Sequence, residues 1–186
     1  MTRIRFNIQL FTWLAVVLPA TAFAQVEFTA HDITTSAYGA YSVYAADVNV
    51  DGDMDVLSTS WFPDYTIFWY ENDGSGSFTP KVIAPNVDYA TSLYAVDVDA
   101  DGDMDVLAGS WGGNKIVWYE NDGVENFTEN IITTFADADG AVFVYAADLD
   151  GDGDQDVLST SETDHTIAWY ENDGSGSFTA YTIATS

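Results

Sequence analysis

The chain has 186 residues, 47% of them hydrophobic, which is long enough for one domain with its own core, and it has no cysteine. Thirty acidic residues stand against four basic ones, a formal net charge of −26. This balance excludes nucleic acid and anionic membrane as partners, because no basic surface exists to neutralise phosphate, and without disulfides bound metal is the natural candidate for holding loops in shape.

The first predicted element is a leader. Arg3 and Arg5 form a short positive region, residues 8–20 are mostly apolar, and Ala22-Phe23-Ala24 fits the small-x-small pattern of a cleavage site. The apolar run falls short of the ~20 residues a spanning helix needs, and Pro19 interrupts it. Residues 1–24 are therefore expected to be a secretory signal and 25–186 an exported chain, secreted or at the cell surface, with no membrane insertion. All acidic residues lie in that exported part, where Lys81 and Lys115 are the only cations besides the histidines.

From residue 28 onward the sequence repeats. Asp47-Val-Asn-Val-Asp-Gly-Asp-Met-Asp55 returns as Asp97-Val-Asp-Ala-Asp-Gly-Asp-Met-Asp105 and as Asp148-Leu-Asp-Gly-Asp-Gly-Asp-Gln-Asp156. Each cluster is followed by Val-Leu, then by Trp-Tyr-Glu-Asn-Asp-Gly from Trp69, Trp118 and Trp169, then by Phe78-Thr79, Phe127-Thr128 and Phe178-Thr179. Self-similarity at this period marks a repeat architecture built by duplication. The units fall at about 28–77, 78–126 and 127–177, with a terminal strand at 178–186.

Within a unit, short β-rich runs are bounded by Gly, Asp and Asn, and no 3.6-residue apolar period is present. The first unit predicts strands at 41–46, 56–61, 66–71 and 78–84, a loop at 47–55 and a turn at 72–77. In Ile67-Phe68-Trp69-Tyr70 both alternating faces are apolar, so the small sheet is covered on both sides. Four-stranded sheets covered on both sides and repeated in tandem are propeller blades. Residues 28–33 align with 78–83, which adds one extra N-terminal strand. The expected fold is all-β: three four-stranded antiparallel units plus that strand, a partial propeller. It either completes a ring with another copy or is a fragment of a longer chain.

The aspartate loops carry the chemistry. Ca²⁺ takes six to eight oxygens, and a tight loop wraps them around one point when alternate residues face inward. Positions 1, 3 and 5 supply side chains from Asp47, Asn49 and Asp51; Asp97, Asp99 and Asp101; and Asp148, Asp150 and Asp152. The glycines at position 6 permit the sharp turn. Position 7 offers the carbonyls of Asp53, Asp103 and Asp154, and position 9 the carboxylates of Asp55, Asp105 and Asp156. An EF-hand needs Glu at position 12; Ser58, Ala108 and Ser159 stand there. Zn²⁺ is disfavoured because the loops hold no His or Cys.

The loop followed by Val-Leu, together with Trp-Tyr-Glu-Asn-Asp-Gly, resembles the FG-GAP/VCBS-type repeats of integrin α-subunits and of many exported bacterial proteins. The resemblance covers residue 28 to the C-terminus. It implies a β-propeller with Ca²⁺ between the first two strands of each blade, hence about three sites.

Other residues read as structural. His31 and His165 lie in separate units with no nucleophile motif beside them, and Glu71 and Asp73 belong to the turns. Trp61 and Trp111, at loop starts, read as inter-blade packing, with sugar stacking as the alternative. The expected function is a non-enzymatic calcium-binding module for extracellular binding or adhesion to a protein or glycan. The alternatives are a lectin-like propeller or an accessory domain of a secreted polysaccharide-active enzyme.

Overall fold

The computed structural model describes residues 27–134 and 138–185, and among them all regular structure is β. The leader reading, residues 1–24, lies outside the described residues. No helix among the described residues is long and apolar enough to cross a membrane.

Twelve strands form three sheets. The first holds β1 (Ala40–Ala46), β2 (Asp55–Ser60), β3 (Thr66–Asn72) and β4 (Phe78–Ala84) in that order. The second holds β5 (Ala90–Val96), β6 (Asp105–Ser110), β7 (Lys115–Asn121) and β8 (Phe127–Thr134). The third holds β9 (Ala141–Ala147), β10 (Asp156–Ser161), β11 (Thr166–Asn172) and β12 (Phe178–Ala184). All neighbouring pairs are antiparallel. The aspartate loops join the first and second strands of each sheet, so all three stand at equivalent places in their sheets.

The sheets stack face to face, with β1 beside β5 and β5 beside β9. Strand alternation sends Leu57, Ile67 and Trp69 of the first sheet against Leu93, Val106, Val117 and Tyr119 of the second. The opposite face of the second sheet sends Leu107, Ile116 and Trp118 against Val144, Val157, Ala168 and Tyr170 of the third. This is why the third strand of a unit is apolar on both faces. Three such sheets, with their first strands side by side, are blades of a partial propeller.

Two details differ from the expected arrangement. Residues 28–33 form no strand, and Phe28 is exposed. A fourth strand is held only by pairing along a third strand, and no described third strand is free to take this segment. The terminal segment is likewise no lone strand: β12 pairs along β11 and completes the third sheet. Each sheet therefore runs from its own first strand to its own fourth, as in Ala40–Ala84, rather than breaking after residue 77.

Candidate metal centres

Each aspartate loop is shaped by its own carboxylates. Position 1 folds inward, and Asp47, Asp97 and Asp148 accept the amides of Gly52, Gly102 and Gly153 at 2.9, 3.0 and 3.2 Å. Position 5 accepts from position 7: the amides of Asp53, Asp103 and Asp154 lie 2.9 Å from Oδ1 of Asp51, Asp101 and Asp152. Position 9 is fully buried and latched at both oxygens. Asp55 accepts from Val48 at 3.1 Å and Asn72 at 2.7 Å; Asp105 from Val98 at 3.0 Å and Asn121 at 2.8 Å; Asp156 from Leu149 at 3.0 Å and Asn172 at 2.9 Å.

The loops bring positions 1, 3 and 9 together. In the second loop Asp97, Asp99 and Asp105 each offer an oxygen within 4.8 Å of the others, and in the third loop Asp148, Asp150 and Asp156 do the same. In the first loop Asn49 stands at position 3, and its amide nitrogen donates to Asp51 at 3.0 Å and to Glu71 at 3.3 Å. Position 5 gives its Oδ1 to the loop backbone while staying beside position 3: Asp51 accepts from Asn49 at 3.0 Å, and the charges of Asp101 and Asp152 bear on Asp99 and Asp150. The carboxylates of Asp53, Asp103 and Asp154 pack over Gly74, Gly123 and Gly174, where a β-carbon would collide with them.

The second loop fits a hard cation. Oδ1 of Asp97 is buried and has no hydrogen-bond partner, a costly state for a carboxylate oxygen. Burial, and then the neighbouring Asp101 charge, raise the Asp99 carboxyl above its ordinary range; burial and then the Asp152 charge do the same to Asp150. Burial pushes Asp105 up to about 6 in spite of its two amide donors. A divalent ion among these oxygens would supply a partner for Asp97 and favour the ionised form of every carboxyl around it. The residues that would hold it are those at positions 1, 3 and 9, with a second carboxylate oxygen of position 5 and the position 7 carbonyl available from the same loop.

Sequence reasoning missed the glutamates of the Trp-Tyr-Glu-Asn-Asp-Gly turns. Glu71 meets Asn49, and the charges of Glu120 and Glu171 bear on Asp99 and Asp150. Their constant offset from each loop was the available signal. The aspartates two residues on are turn residues: Asp73 accepts from the Ser75 hydroxyl at 2.7 Å and from the Ser75 and Ser77 amides at 2.9 and 3.1 Å, which lowers its pKa.

Trp61 packs between sheets, stacked on Tyr41 at 3.8 Å and donating Nε1 to the Ala90 carbonyl at 2.7 Å. Trp111 is exposed, and so are His31 and His165. Between the first and second sheets, at the loop end, lies a cleft of about 330 Å³ lined by Asn49, Asp103, Asn121 and Glu125 among others.

The profile of the family described as FG-GAP-like repeat matches residues 47–108, 97–159 and 148–186, each match beginning on the first aspartate of a loop. No curated protein matches the chain by sequence. Among solved structures, a lectin from Agrocybe aegerita, described for its specific recognition of non-reducing terminal N-acetylglucosamine, is similar in fold, with a TM-score of 0.56 and 22% identity. The match covers 77% of this chain and 39% of the lectin, so the chain spans about two fifths of that lectin's length.

Proposed function

The chain belongs to the family of FG-GAP-like repeats, and on that premise we propose that it is an exported, non-enzymatic binding module whose three aspartate loops hold Ca²⁺. The observation that carries the metal reading is the gathering of Asp97, Asp99 and Asp105 oxygens within 4.8 Å, one of them buried and unpartnered. Oxygen-only donors in a flexible loop suit Ca²⁺ better than Mg²⁺, which demands stricter octahedral geometry and keeps its waters. Titration calorimetry with Ca²⁺ and then Mg²⁺ tests this. Ca²⁺ binding that Mg²⁺ does not reproduce, weakened by Asp97→Ala, is the expected result. Export is tested by the N-terminal mass of the secreted protein, expected to begin at Gln25.

The ligand we propose is a glycan, with protein adhesion as the competing outcome. The cleft beside the loops supports this reading, since its lining of Asn49, Asp103, Asn121 and Glu125 offers donors and acceptors suited to sugar hydroxyls. The fold neighbour is itself a lectin. A glycan array probed with and without Ca²⁺ separates the readings. Retention on glycans ending in N-acetylglucosamine, lost in EGTA, supports the glycan. Silence across the array alongside Ca²⁺-dependent binding to an extracellular matrix protein supports adhesion.

A further inference from the structure

The interface between sheets is built the same way twice, and at each end of the stack half of a third such interface faces no other described sheet. One half is a Leu-Ile-Trp face: Leu57, Ile67 and Trp69 in the first sheet, and Leu107, Ile116 and Trp118 in the second. The other half is a face bearing Tyr119 in the second sheet and Tyr170 in the third. The third sheet's Leu-Ile-Trp face and the first sheet's tyrosine face have no neighbour among the described residues. Ile167 is 44% exposed where Ile67 and Ile116 are 0%, and Val43 is 70% exposed where Leu93 is 5% and Val144 0%.

We propose that these two faces dock on each other between two copies of this chain, head to tail. The pairing has a template in the chain itself. At each internal interface an asparagine crosses over: Nδ2 of Asn121 reaches the Val48 carbonyl at 3.5 Å, and Nδ2 of Asn172 the Val98 carbonyl at 2.8 Å. The next members of the two series are Asn72 and Leu149. Asn72 donates to Met54 within its own sheet, as its counterparts also do to theirs, but crosses to no other sheet among the described residues. Leu149 is exposed where Val48 and Val98 are buried. At the first internal interface Trp69 also meets the Phe127 ring at 6.4 Å; the corresponding residues at the open faces are Trp169, which stacks on Tyr181 of its own sheet at 4.9 Å, and Phe78.

A second copy offers what each open face lacks. Asn72 of one chain meets the Leu149 carbonyl of the other, and Phe78 meets Trp169. A two-fold axis makes both contacts at once, because a head-to-tail contact closes when the rotation allows it. Two copies of three sheets give six, within the roughly four to eight blades of closed propellers. The facing side chains Val43, Phe68, Leu158, Ile167 and Trp169 are uncharged, and the third aspartate loop would border the contact through Leu149 as the first two loops border the internal ones through Val48 and Val98. Burying unpartnered strand faces also removes an aggregation hazard.

Light scattering on the purified full chain in Ca²⁺-containing buffer reads the assembly. A discrete mass of two chains is expected. Val43→Asp and Ile167→Asp, both at exposed positions, should each weaken association roughly 30-fold or more, as loss of a central contact does. Circular dichroism checks that both variants keep their strands. Because the chain has no cysteine, a chain carrying both Asn72→Cys and Leu149→Cys should form a covalent pair on oxidation, and neither single variant should. A monomer at all concentrations, a dimer indifferent to both aspartates, or open-ended polymers would overturn the proposal.

Discussion

The buried carboxylate of Asp105 accepts the backbone amide of Asn121 at 2.8 Å, tying the second aspartate loop to the end of β7. Its other oxygen takes the Val98 amide, so one side chain fixes both the start of the loop and the strand beside it. An asparagine there retains one acceptor but turns an NH₂ toward a backbone N–H. Asp105→Asn should cost about 2–3 kcal/mol through that unsatisfied pair, even in EGTA. The exposed Asp101→Asn should stay within about 0.5 kcal/mol under the same conditions. Urea unfolding of both variants in EGTA is the measurement, and equal losses would refute the latch.

Much of this was legible in the sequence, and the physical reason is repetition. Strands at 41–46, 56–61, 66–71 and 78–84 come within a residue or so of β1 to β4 because the turn chemistry around them is explicit. Positions 1, 3 and 9 were readable as inward-facing, since alternation in a tight loop fixes direction. What could not be read was pairing. Residues 28–33 share the pattern of β4, but a strand exists only where a partner edge is offered, and local pattern carries no information about the edge. The same gap hid the second task of Asp55, Asp105 and Asp156, whose amide partners Asn72, Asn121 and Asn172 lie 16 or 17 residues away. Position 4 was missed for another reason. Val50 and Ala100 sit there with φ of 57° and 59°, and only the third loop, with Gly151 at 84°, shows the glycine that betrays such a backbone.

That position gives a stability prediction. A left-handed backbone costs an L-residue roughly 1–2 kcal/mol, and a β-branched one has least tolerance for it. The Val50 side chain is exposed and loses little packing when replaced. Val50→Asn should raise the unfolding free energy by about 1 kcal/mol. Denaturant melts should show the gain with and without Ca²⁺. A loss in both would mean that the loop does not hold this backbone in solution.

Asn49 makes the first loop different in sign. Its amide donates to Asp51 and Glu71, relations that become repulsive when a carboxylate replaces it. Asn49→Asp should therefore destabilise the Ca²⁺-free protein, by a few tenths of a kcal/mol given the exposure of the loop. With Ca²⁺ the added charge should tighten the first site, because ligand charge tunes affinity in such loops. Calorimetry on the variant beside melts in EGTA reads both halves. Weaker Ca²⁺ binding by Asn49→Asp would count against position 3 as a ligand.

Calcium removal should loosen the whole stack. The chain has no disulfide, and each loop gathers carboxylates whose amide donors are few against their charge. Metal that binds only the folded chain stabilises it by RT ln(1 + [Ca²⁺]/Kd). Extracellular modules bind with Kd of roughly 10⁻⁴–10⁻³ M. At ~10 mM free Ca²⁺ each site then contributes about 1.4–2.7 kcal/mol. Three independent sites reach roughly 4–8 kcal/mol, against a typical domain's net ~5–15 kcal/mol. The loops sit between the first and second strands of every sheet, and Asp55, Asp105 and Asp156 transmit their shape to the third, so the loss is felt by each sheet rather than at a rim. Ionic strength alone screens the repulsion but gives the buried Asp97 oxygen no partner. Thermal melting in EGTA should therefore show a transition lowered by many degrees, restored by Ca²⁺ and only in part by NaCl of equal ionic strength. A transition unmoved by EGTA, or restored equally by NaCl, would remove calcium from the account of this fold.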